Sequence, residues 1–203
     1  MSLSHPLPRE LTRPVHVGGV QIGGGAPVVV QSMTCTDTAD AQATLAQVCA
    51  LAQAGCDIVR VSVPTEAALE GFRTICAESP VPIVADIHFN PKAADAAAQV
   101  VEKVRINPGN YVDSKIFNIR EYSDEEYNAG IAKIRERFIP FLHLCKEHNT
   151  AIRLGINHGS LSDRIMSRYG DTPEGMVASC MEFLRICREE NFHNVAISIK
   201  ASN

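Results

Sequence analysis

The sequence predicts an α/β protein built as a TIM-type (β/α) barrel, with about six of the eight β/α units present. Three observations carry that reading. Residues 58–63, 83–89, 104–107, 152–157 and 195–200 all alternate apolar side chains with others that are mostly polar. Side chains on a strand alternate faces, so Arg60 lies with Ser62, Asp86 with His88, Arg105 with Asn107, Arg153 with Asn157, and Ser198 with Lys200. The opposite face is largely Val, Ile and Leu, and each stretch is followed by helical periodicity, the order of a parallel sheet covered by helices. Polar groups inside such a barrel, at the carboxyl ends of its strands, stand where barrel enzymes keep their active sites.

Along the chain, residues 1–13 read as a flexible arm and residues 14–203 as the partial barrel. Residues 15–22 form a short hairpin turning at Gly18 and Gly19, followed by Gly23, Gly24 and Gly25. No Gly-Lys-Ser/Thr and no G-x-G-x-x-G leads from these glycines into a helix, so a hairpin closing the barrel floor is preferred to a phosphate loop. The first barrel strand is expected over 28–33, followed by a helix over 38–54 with Leu45, Val48, Cys49 and Ala52 at helical spacing. A strand over 57–63 leads to a helix whose inner stripe is Leu69, Phe72 and Cys76. The third strand, 82–89, runs into Asn90 and Pro91, an N-cap with proline at the first helical position. The fourth, 103–107, ends in Pro108, Gly109 and Asn110, ahead of a longer excursion from Tyr111 to Tyr122. Ser123 and Glu126 form a capping box. The helix they open presents Ile131, Ile134 and Phe138 inward, and Pro140 is expected to kink or interrupt it. A fifth strand over 151–156 precedes a short helix over 162–169 that stops at Gly170. Thr172 and Pro173 start the last helix, with the stripe Val177, Cys180, Leu184 and Cys187, before a sixth strand over 194–200. A closed barrel needs eight strands, and six would leave an open edge, so the chain reads as a truncated barrel.

Composition narrows the function classes. Hydrophobic content of 45% and charged content of 21% are ordinary for a globular protein. The net charge of −4 argues against a nucleic-acid-coating protein. No apolar run approaches the roughly 18 residues of a membrane span, and the first residues resemble neither a signal sequence nor a transit peptide, so a cytoplasmic location is expected. Seven cysteines, an odd number with no C-x-x-C pair, give little support to disulfides or to a metal centre assembled by this chain alone. Cys49, Cys76, Cys145, Cys180 and Cys187 fall in helices among apolar neighbours and read as packed thiols.

Arg60, Arg105, Arg153 and Lys200 would converge at one level of the lumen, with a single nearby carboxylate, Asp86. A structural plug would need more counter-charge than Asp86 supplies. Four cations of this kind suit a multiply charged anion, most simply a phosphorylated substrate. Asn107 and Asn157 offer neutral donors and acceptors. His88 could be a packed histidine, a donor to substrate or a proton carrier. Ser62 and Ser198 could equally leave room.

These residues also carry a resemblance. Residues 30–34 (VQSMT), 57–62 (DIVRVS), 84–89 (VADIHF), 104–110 (VRINPGN) and 199–203 (IKASN) resemble the barrel domain of the 4-hydroxy-3-methylbut-2-en-1-yl diphosphate synthase family of the non-mevalonate isoprenoid pathway. The stretch 157–166 and the excursion 111–122 are similar to its long, three-domain form. The resemblance implies an oxidoreductase that reductively opens and dehydrates methylerythritol cyclodiphosphate with electrons from ferredoxin or flavodoxin. It implies that Arg60, Arg105, Arg153 and Lys200 hold phosphate oxygens, with Asp86, His88, Asn107 and Asn157 around the substrate. It also implies a 4Fe–4S cluster held by three cysteines and a glutamate of a C-terminal domain, none of them in this chain, so the catalytic residues and the metal ligands are expected elsewhere. A bacterial source fits the missing transit peptide, and a homodimer is compatible with the family. Two other readings stay open: a diphosphate-binding module or inert fragment without catalysis, and another phosphate-handling barrel such as a dihydropteroate synthase relative.

Overall fold

The computed structural model describes residues 8–65, 68–87, 90–113 and 121–201. It opens with a hairpin of β1 (Val15–Val17) and β2 (Val20–Ile22), paired antiparallel. The main sheet has six parallel strands: β3 (Gln31–Met33), β4 (Ile58–Val63), β5 (Ile83–Ile87), β6 (Lys103–Ile106), β7 (Ala151–Asn157) and β8 (Val195–Lys200). They lie side by side strictly in chain order. Between them run α1 (Ala41–Gln53), α2 (Ala68–Glu78), α3 (Pro91–Ala98), α4 (Asp124–Glu147), α5 (Asp163–Tyr169) and α6 (Pro173–Glu189). The barrel expectation holds as a curled half-barrel with helices on its outer face.

The helix starts follow the caps written in the sequence. Asn90 accepts from Ala93 N ahead of Pro91. Ser123 and Glu126 form a reciprocal capping box, and Ser162 and Thr172 cap α5 and α6. Asp40 caps α1, so that helix begins three residues later than the periodicity suggests. The first barrel strand also starts late, at Gln31, because the Asp57 side chain takes the Val30 N–H at 2.7 Å. Helix α4 runs uninterrupted through Pro140. Proline removes one helical hydrogen bond, but Phe138, Phe141 and Leu142 around it are fully buried and hold both halves against the sheet.

The two faces of the sheet differ as the alternation requires. Val59, Val61, Val63, Ile83, Ala85, Val104, Ile106, Ile152 and Leu154 point into the helix-covered core and are fully buried. Phe138, Phe141, Phe183 and Tyr111 cluster there, with Phe138 and Phe183 rings 5.0 Å apart at 67°. Val177 departs from the expected stripe: it is 52% exposed, and the buried edge of α6 is instead Met176, Cys180, Phe183, Ile186 and Cys187. The hairpin packs through Val15 and Val17 on Ile58, Val84 and Ala151, near the amino-terminal ends of the strands, and so closes the floor. Burial pushes the Cys76 and Cys187 thiols up to about 12 and Cys180 to about 11, consistent with packing rather than reactivity.

Candidate active site

The lumen face follows from register. Ser62, Asp86, Arg105, Arg153 and Ala196 pair in sequence across β4 to β8, so their side chains form one row. Two residues further along, Gly155 pairs with Ser198, and two beyond that, nearer the carboxyl ends, Asn157 pairs with Lys200. Arg60, Asp86, Arg105, Arg153, Gly155, Asn157, Ser198 and Lys200 together line a cavity of about 310 Å³. Six of the eight sequence-predicted site residues thus meet in one place. His88 lies outside the described residues.

Asp86 organises the cations. It is 3% exposed, accepts from Arg105 Nη1 at 3.1 Å, and stands 3.5 Å from Arg60 Nε. Arg60 also reaches the Met33 sulfur through Nε and Nη2, at 3.2 and 3.0 Å. Arg153 donates from Nη2 to Ser198 Oγ at 2.8 Å. Burial, then the Arg60 and Arg105 guanidinium groups, pull Arg153 below the ordinary arginine value, while Asp86 opposes them. Four cationic side chains around one carboxylate leave this cavity with a net positive charge, the condition that multiply charged anions relieve.

Asn107 plays a different part from the one its face suggests. It is buried, and both ends of its amide are used locally: Nδ2 donates to Ser160 Oγ at 2.7 Å, and Oδ1 accepts from Gly109 N at 3.1 Å. Ser160 Oγ in turn donates to the Asn157 carbonyl at 3.2 Å. Asn107 therefore ties the loop after β6 to the turn after β7 and does not line the cavity. Gly109 has no room for a side chain, since a Cβ there would fall 1.7 Å from the Ser160 carbonyl oxygen.

Two residues of the lumen escaped the sequence reading. Gly155 is one, and a glycine inside a strand is the signal that could have found it, because it often marks a close approach. Arg105 Nη2 donates to the Gly155 carbonyl at 3.2 Å, and a Cβ at Gly155 would sit 2.4 Å from Arg105 Nε. Gly155→Ala should therefore push Arg105 out of its seat and weaken pyrophosphate binding about tenfold, the scale of one charge-assisted hydrogen bond. Calorimetric titration would check it, and unchanged affinity would mean that Arg105 does not touch the anion. The other is Lys103, on β6 below Arg105, which is 2% exposed.

Cys35 is exposed in the loop after β3, and Cys145, Cys180 and Cys187 are buried in the helical layer. Among the described residues no group of three or more His, Cys, Asp or Glu side chains could hold a metal ion. A larger groove of about 600 Å³ lies between α4 and α6, with Val177 and Met181 in its wall, outside the barrel and away from the charged lumen.

Comparison with known proteins adds to this geometry. Residues 12–203 match the GcpE TIM-barrel domain. The chain is 59% identical over 201 residues to 4-hydroxy-3-methylbut-2-en-1-yl diphosphate synthase (flavodoxin) of Parabacteroides distasonis, covering 96% of this chain and 33% of that protein. It is 57% identical to the protein of the same name from Bacteroides fragilis, covering 96% of this chain and 32% of that one. The chain thus spans about a third of the length of the curated relatives it matches. Among solved structures, it resembles the phospho-2-dehydro-3-deoxyheptonate aldolase of Thermotoga maritima with a TM-score of 0.53 at 13% identity, over 91% of this chain and 44% of that one, a likeness of fold alone.

Proposed function

Because this chain belongs to the GcpE TIM-barrel domain family, we propose that its lumen grips the diphosphate of methylerythritol cyclodiphosphate in an enzyme that opens and dehydrates that ring reductively. The observation that carries the reading is the cavity in which Arg60, Arg105, Arg153 and Lys200 surround the single carboxylate of Asp86. Arg105 and Arg153 come from neighbouring strands at one register level, so their planar forks can address oxygens of one anion from adjacent directions. Lys200 and Asn157, two levels higher, complete the rim. Asp86 holds Arg60 and Arg105 in place before the ligand arrives, which lowers the ordering cost of binding. His88, which lies outside the described residues, is proposed from the sequence pattern alone as a donor or proton carrier for the substrate.

The chain's own residues bind and orient; the reducing electrons require a redox centre. The two bacterial relatives carry flavodoxin in their names, which supports a flavodoxin partner here. The family's 4Fe–4S cluster finds no ligand set among the described residues, and no step is assigned to it. We propose a cytoplasmic location in a bacterium, a reading that the bacterial source of those relatives supports.

Arg105→Met and Arg153→Met test the reading. Each should weaken binding of the cyclodiphosphate, or of inorganic pyrophosphate as a simpler probe, by about 1.5–3 kcal/mol, roughly ten- to a hundredfold. Methionine keeps much of the stem packing, so the fold should survive. Unchanged affinity in both variants would make these arginines structural and would favour the reading of an inert barrel piece.

A further inference from the structure

Below the row of arginines the lumen holds a cation that the diphosphate site does not use. Lys103 extends from β6 across the barrel interior to the first strand of the sheet, where its Nζ stands 3.5 Å from Gln31 Oε1. That contact, at the limit of a hydrogen bond, leaves an ammonium with three donors poorly satisfied among the described residues. No carboxylate pairs with it among the described residues, and Arg153 and Arg60 stand close enough to add repulsion. Burial first, then those two guanidinium groups, lower Lys103 to about 8. A charge so placed is costly unless an anion meets it.

The space for that anion is present. A second cavity of about 340 Å³ lies between the β3 and β8 edges, over the hairpin, and is lined by Gln31, Lys103 and Arg153 together with apolar residues such as Ile22 and Val29. Arg153 borders both cavities, so the floor and the mouth are joined through one side chain. The floor offers two cations and one neutral amide, against four cations at the mouth, which suits a single anionic group rather than a diphosphate.

We infer that the lumen floor is a second anion site, in which Lys103 and Arg153 bind one anionic oxygen group. A carboxylate, as on an acidic side chain of the same polypeptide, and a phosphate group share this chemistry. The inference stands apart from the function proposed for the mouth, because its key residue is Lys103 and not Arg105.

Thermal unfolding of the 203-residue chain, titrated with acetate or with phosphate at constant ionic strength, provides the test. In the Arg105→Met background, where the mouth is weakened, either anion should still raise Tm saturably. Lys103→Met in that background should start from a higher Tm, since a buried charge is gone, and should lose the rise. Saturation by acetate at the lower concentration identifies a carboxylate seat, and saturation first by phosphate identifies a phosphate seat; both support the site. An anion response that survives Lys103→Met unchanged, or that is already gone in Arg105→Met alone, overturns it. Lys103→Gln and the NMR signal of the Lys103 ε-ammonium, expected to shift with acetate in the unmutated protein, guard against a variant that fails to fold. Failure at the mouth reads differently, as Arg105→Met leaving pyrophosphate affinity unchanged.

Discussion

Replacing Asp86 with alanine will destabilise the chain by about 3–5 kcal/mol, the usual cost of stripping one partner from a buried ion pair. Asp86 is 3% exposed and touches both Arg105 and Arg60. Without it Arg105, itself 6% exposed, keeps the Gly155 carbonyl as its named partner while facing Arg60 and Arg153. Against a domain stability of about 5–15 kcal/mol this is a large fraction. Asp86→Asn should cost less, because the amide oxygen still accepts from Arg105 although the charge is lost. Urea denaturation would measure both. Phosphate should restore part of the loss, since any anion that binds only the folded state stabilises it by mass action. A cost below about 1 kcal/mol for Asp86→Ala, or no rescue by phosphate, would remove Asp86 from its organising place.

Glu182→Ala should cost a similar amount, about 3–5 kcal/mol, at a place remote from the lumen. Arg164 on α5 makes a two-pronged contact with Glu182 on α6, at 2.6 and 2.9 Å, and reaches Asp113 at 3.0 Å. The Tyr127 hydroxyl on α4 donates to the same carboxylate, and its ring lies 4.6 Å beneath the Arg164 guanidinium. Three helices are thus pinned by one carboxylate that is 8% exposed. These carboxylates raise Arg164 above the ordinary arginine value against its burial, and burial with the Glu182 bond raises the Tyr127 phenol. In a double-mutant cycle with Arg164→Met, the two losses should be far from additive, because each variant already breaks the shared contact. Pyrophosphate affinity of the folded protein should not move. Additive losses would mean that the packing of α6, and not the ion pair, holds the three helices.

The charged row was legible because strand alternation has a period of two, so Arg60, Asp86, Arg105 and Arg153 had to share a face once their strands were recognised. The caps at Asn90, Ser123 and Thr172 were legible for a similar reason, since their partners lie three residues away. What escaped depends on partners far along the chain. Lys103 shares the face of Arg105 by the same alternation, but what it meets there, the Gln31 amide, lies 72 residues earlier in the chain. Asn107 shares the face of Arg105, but its amide is claimed by Ser160, 53 residues later. Arg164 and Glu182 look like ordinary helix charges until α4, α5 and α6 are brought together. Pro140 signals a break that the surrounding phenylalanines override.

The strict order of the six parallel strands has a consequence for how the chain is made. Among the described residues each strand of the main sheet pairs only with its neighbours in sequence, so none of these pairings waits for a distant segment to emerge. During synthesis every completed β/α unit can dock on the edge left by its predecessor, and the growing edge moves with the ribosome. Domains of this kind are suited to assembly from the amino terminus onward. The loop closures between neighbouring strands stay short in entropic terms even though the finished sheet is wide. Slow codons after β6 and after β7 would then lengthen the time for which a fresh edge stands uncovered, making translation pace a determinant of how much chain reaches the folded state.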